Sequence, residues 1–146
     1  MALGTMQDRT DADIVGVILR RLLGGEIDPD AAIERLSPYA VIELDDNPSF
    51  ITWKKVVSTE VPISASDVRI ALDRYLAGEW DVRRLKRWAA LVSFFDQYEP
   101  TSPPADDEDF NDDLWDVIHE LGSPEVFGEI SPETVQEKRQ RLEKYD

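Results

Sequence analysis

A chain of 146 residues with 42% hydrophobic side chains has the length and apolar content of one folded domain. Its 31 acidic against 16 basic side chains leave a net charge of −15, so contact with nucleic acid or an anionic membrane would begin with repulsion. Cysteine is absent, which excludes disulfides, thiolate zinc sites and cysteine nucleophiles.

The opening residues MALGTMQDRT carry no apolar signal-peptide core, and no apolar run is long enough for a bilayer, so the expectation is a soluble, cytoplasmic chain. Residues 1–10 read as a flexible N-terminus and 11–146 as a single helical domain. The first predicted helix covers 11–24, with Thr10 as its cap and Ile14, Val15, Ile18, Leu19 and Leu22 as a broad apolar face.

That helix ends in a motif that recurs. Arg21-Leu22-Leu23-Gly24-Gly25-Glu26-Ile27-Asp28 and Arg74-Tyr75-Leu76-Ala77-Gly78-Glu79-Trp80-Asp81 align at a constant offset of 53, and Gly128-Glu129-Ile130-Ser131-Pro132-Glu133 is a looser third copy. Gly25 and Gly78 suit the left-handed residue that closes a helix, and Asp28, Asp81 and Ser131 suit the cap of the next. Pro29 and Pro132 fall where a helix needs no N–H. Ile27, Trp80 and Ile130 precede the caps and can staple onto Ala32, Leu85 and Val135. These are helix–turn–helix corners, and the second predicted helix runs from the first of them over 29–37.

Residues 39–57 admit two readings. Ser37-Pro38 and Asn47-Pro48 can each open a short helix, the second reaching Trp53 and Val57; alternatively, 41–44 and 50–53 are two short strands. Helix is the preferred reading, which makes the fold all-α: a compact single-domain bundle built from corners. Beyond it, Val68, Ala71, Leu72, Tyr75 and Leu76 mark a helix over 66–77, and Leu85, Trp88, Ala89, Val92 and Phe95 mark one over 82–96. An acidic, proline-containing loop follows at about 100–110. Leu114, Val117, Ile118 and Leu121 place a helix at 111–121, and Val135 and Leu142 a last one at 132–144.

Charge is concentrated. Residues 96–133 contain 13 acids and no Lys or Arg. Asp106, Asp107, Glu108, Asp109, Phe110, Asp112, Asp113, Trp115 and Asp116 therefore form the candidate partner-binding face, aromatic anchors within an acidic rim. The same acids do not fall into the register of a calcium-binding helix–loop–helix, which needs Gly at its sixth position and Glu at its twelfth. The single histidine, His119, lies one turn after Trp115 and reads as pairing with that ring. No catalytic constellation is expected: phosphate-binding glycine loops and the Gly-x-Ser-x-Gly elbow are both missing. Neither a metal nor a cofactor is expected. Glu26, Glu79 and Glu129 recur in the corners, where an anion ahead of a helix N-terminus is stabilised by its dipole.

Residues 71–79 with Trp88-Ala89, and Ile118-His119-Glu120-Leu121 through Pro124, Gly128-Glu129-Ile130 and Pro132-Glu133, resemble small helical immunity proteins that neutralise bacterial toxins of the colicin D and contact-dependent-inhibition kind. The resemblance covers the C-terminal half and implies a cytoplasmic, non-enzymatic inhibitor of a basic toxin or nuclease. Two other classes compete with it: a helical interaction or scaffold protein whose acidity serves solubility, and a hydrolase working with carboxylates alone. Oligomeric state is not legible.

Overall fold

The computed structural model describes residues 2–43, 50–95, 97–100, 108–143 and 145; for 2–10, 100, 108–111 and 125–126 it describes the backbone. Among the described residues, seven helices and four short strands follow in the order α1 (Ala2–Leu23), α2 (Pro29–Leu36), β1 (Ala40–Glu43), β2 (Phe50–Trp53), β3 (Val61–Ile63), α3 (Ala65–Leu76), α4 (Val82–Phe94), β4 (Tyr98–Pro100), α5 (Glu108–Gly122), α6 (Pro124–Phe127) and α7 (Pro132–Glu143). None of these helices is long and apolar enough to cross a membrane.

The repeated motif builds two corners of one geometry. Leu22 O accepts from Gly25 N at 3.1 Å and Arg21 O from Glu26 N at 2.9 Å; Tyr75 O accepts from Gly78 N at 3.0 Å and Arg74 O from Glu79 N at 2.9 Å. Such paired bonds close a helix only when the residue between them is left-handed, and Gly25 and Gly78 have φ of 74° and 82°. Asp28 then accepts from Asp30 N at 2.9 Å to cap α2, and Asp81 from Arg84 N at 2.8 Å to cap α4. At the third copy Ser131 Oγ accepts from Thr134 N at 3.2 Å while Ser131 N donates to Thr134 Oγ1 at 2.9 Å. Asp81→Ala is expected to lose about 1 kcal/mol, the usual worth of an N-cap side chain. Chemical denaturation against the parent chain checks it.

The two corners pack on each other. Arg74 Nη1 donates to Gly25 O at 3.0 Å, and the Arg74 and Arg84 guanidiniums both stand over the Trp80 ring, their carbons 5.7 and 4.9 Å from its centroid. Arg84 reaches Asp28 at 3.7 Å and Arg87 reaches Asp30 at 2.5 Å, so the two N-termini face each other across charge pairs. Beneath them runs the core. Val15, Leu19 and Leu22 of α1, Leu36 of α2, Val68 and Leu72 of α3, and Leu85, Trp88 and Val92 of α4 are fully buried.

The structure corrects the all-α expectation at residues 39–57, where the preferred helix gives way to strands. The fold is mostly helical, with two two-stranded sheets among the described residues. β1 and β2 pair antiparallel from Ala40↔Trp53 to Glu43↔Phe50. Ala40, Ile42, Ile51 and Trp53 turn inward while Val41, Glu43, Phe50 and Thr52 are exposed, a period of two that a helix could not satisfy. β3 and β4 pair parallel, Val61↔Tyr98 to Ile63↔Pro100.

Two helix boundaries also differ. α1 begins at Ala2, which puts Thr10 inside the helix instead of at its start, and α5 begins at Glu108. The 101–107 part of the acidic, proline-containing stretch lies outside the described residues.

Tyr98 ties β4 to α1: its hydroxyl donates to Leu19 O at 2.6 Å. Burial pushes this phenol well above its usual range, and Asp67 adds to the effect. A phenol whose folded pKa is raised stabilises the fold fully below the unfolded value of about 10, and that contribution is lost as pH rises from there through the folded pKa. Alkaline titration of stability should therefore fall less steeply above about pH 10 in Tyr98→Phe than in the parent chain. Equal slopes would contradict the buried-phenol account.

Candidate functional site

α5 is the helix on which the acidic segment is displayed. Leu114, Val117, Ile118 and Leu121 recur at helical spacing and are fully buried, against α4 chiefly and against α3 and α7. That packing fixes the opposite stripe, where Asp112, Asp116 and His119 are exposed. α7 holds α5 from the side: Arg141 Nη1 donates to Glu120 at 2.9 Å, while Arg139 donates to Asp73 of α3 and to Glu143, both at 2.6 Å. The Asp73 hydrogen bond, more than the nearby charges, raises the Arg139 guanidinium above its already high range.

Apart from Trp115, the sequence-predicted site residues divide into four groups. Asp112 and Asp116 are exposed on one face, one helical turn apart. Asp113 accepts a short hydrogen bond from the hydroxyl of Tyr145, a buried residue beyond α7, so this acid anchors the C-terminal segment. Glu108, Asp109 and Phe110 form the first turn of α5, where negative charge suits the helix dipole. Asp106 and Asp107 lie outside the described residues.

Trp115 is half-buried, one edge packed on the core. Its ring centroid is 6.2 Å from that of His119 with 30° between the planes, the ring pairing expected from their spacing. His119 itself is exposed. Among the described residues no three His, Asp or Glu side chains converge in a way that could hold a metal ion. The corner acids Glu26, Glu79 and Glu129 are all exposed.

One aromatic in the acidic segment escaped the sequence reading. Phe127, the last residue of α6, is 57% exposed, more open than Trp115. The available signal was Ser123-Pro124, which starts a new helical turn and ends it four residues on at Gly128, with φ of 114°. So short a helix has no second face to bury and leaves its terminal Phe in solvent.

The outward face of α5 thus presents Asp112, Asp116 and His119 beside the half-buried Trp115, and residues 96–133 contribute no Lys or Arg. It is suited to steering a positively charged macromolecule and giving it apolar footing. Compared with known proteins, the chain matches no family model, no curated protein and no solved structure.

Proposed function

We propose that this chain is a non-enzymatic, immunity-type inhibitor that acts in the cytoplasm by binding a basic protein, such as a nuclease toxin, through the outward face of α5. The observation that carries the reading is the asymmetry of charge: 13 acids and no base across residues 96–133, with Asp112 and Asp116 exposed on a helix whose opposite face is fully buried. Acidity that served only solubility would be spread over the whole surface. Here residues 64–95 are net positive, with 6 bases against 4 acids.

The mechanism is occlusion. A nuclease cleft is basic because it binds phosphates, and a fixed array of carboxylates competes for the same field. Trp115 supplies the apolar contact that slows dissociation once the charges have brought the surfaces together.

The test uses the intact chain to capture its partner from the native host, followed by binding and activity measurements on the purified pair. The reading predicts a basic partner that loses its activity at equimolar inhibitor. It also predicts an association rate that falls steeply as salt is raised from about 0.05 to 0.5 M. A partner that stays fully active when bound, or an association rate indifferent to salt, would overturn it.

A further inference from the structure

Away from α5, a groove of about 940 Å³ lies beside the β3–β4 pair, lined by residues 53–60 together with Gln97 and Glu99. That size is within the range of ligand-binding clefts. Its floor is a stretch of main chain left unpaired. Among the described residues the N–H groups of Val56–Glu60 meet no hydrogen-bond partner, and of their carbonyls only that of Val57 does, accepting from Gln97 Nε2 at 3.3 Å. This bond holds the Gln97 amide in one orientation and leaves its buried Oε1 without a donor.

The side chains around it define what enters. Val56 is 89% exposed, and the half-buried rings and methyls of Trp53 and Val57 continue its apolar footing. Of the groove's lysines, Lys55 pairs with Asp11 at 2.9 Å, while Lys54 donates to the neutral Ser37 O at 2.8 Å and keeps its charge. Glu60 and Glu99 are exposed and make no ion pair among the described residues. Two open carboxylates against the one uncancelled ammonium of Lys54 leave the groove net negative.

We infer that the groove takes an extended peptide segment of the protein partner, with an apolar side chain on Val56 and Trp53 and a neighbouring Lys or Arg at Glu60 and Glu99. Extended backbone alternates its side chains and offers N–H and C=O groups at every residue, which suits a run of unpaired main chain. This rests on the reading of the chain as a protein-binding inhibitor and adds a second point of contact to α5.

The probe is a blocked synthetic peptide of alternating Lys and Val, titrated into the full-length chain labelled with ¹⁵N. Saturable shifts are expected at the backbone amides of residues 56–60 and at the Gln97 side-chain amide. A Glu60→Lys, Glu99→Lys double variant should weaken binding by about tenfold or more through charge reversal. Val56→Ser, at a position too exposed to disturb the core, should weaken it as well through the lost apolar contact. Asp112→Asn with Asp116→Asn should leave the groove shifts in place, which separates this site from α5. Shifts confined to Asp112, Trp115 and Asp116 would overturn the groove while leaving the α5 reading intact. No saturable shift at the groove, or binding unaffected by the Glu60, Glu99 and Val56 variants, would overturn it too.

Discussion

Gly25→Ala is expected to destabilise the protein by about 3 kcal/mol, whereas Gly78→Ala, in the sister corner, should cost about 1 kcal/mol. Both glycines sit at positive φ, 74° and 82°, so both substitutions incur the left-handed penalty. They differ in what a β-carbon would meet. At Gly25 it would come within 2.8 Å of the Trp80 ring and 2.9 Å of Arg74 Nη1, while at Gly78 nothing lies within 4 Å. Trp80 is buried and backed by Trp88, and so cannot simply swing aside. Urea unfolding of the two variants side by side measures the contact between the corners. Equal losses would mean that the corners do not support each other.

Trp88→Ala should cost about 3–5 kcal/mol, a large fraction of the stability of any domain of this size. Trp88 is fully buried at the meeting point of α1 and α4, and its indole N–H donates to Leu22 O at 3.0 Å. Truncation opens a cavity beneath both corners and removes one hydrogen bond in the interior. Trp88→Phe separates the two effects: it keeps most of the apolar volume, and its loss should be roughly the 1–2 kcal/mol of a buried donor and residual space. A denaturation midpoint that falls with unchanged slope is the expected form of both results. A Trp88→Ala midpoint within error of the parent chain would contradict the packing described.

The helices with repeated corners were legible because their signals are local. Gly25, Asp28 and Pro29, or Gly78 and Asp81, determine how one helix ends and the next begins without reference to the rest of the fold. The hairpin was legible only as the second of two readings, strands at 41–44 and 50–53, and not as the preferred one. Four-residue strands such as Ala40–Glu43 and Phe50–Trp53 are too short for period two to outvote a helical pattern, and what fixes them is pairing with each other. β3 and β4 were harder still, being three residues each and joined across the whole of α3 and α4.

At the site, the acidic bias and the Trp115–His119 pairing are properties of spacing along one helix and could be read directly. The engagement of Asp113 by Tyr145 could not, because it depends on where the C-terminal segment returns. For the same reason the sequence gives no sign that α5 in place packs Trp115, half-buried, against the core.

The central claim is that exposed carboxylates on α5 steer a basic partner and that Trp115 helps hold it. Stopped-flow kinetics of the complex tests both parts at once. Asp112→Asn with Asp116→Asn should slow association severalfold at low salt and leave dissociation nearly unchanged, because rim charges act on encounter. Trp115→Ala should instead speed dissociation, by about thirtyfold if the ring contributes roughly 2 kcal/mol as a central anchor. Association of the Asn variant at the parent rate in low salt, together with unchanged dissociation of the Trp115 variant, would contradict the account and leave the acidic face of α5 a solvated surface.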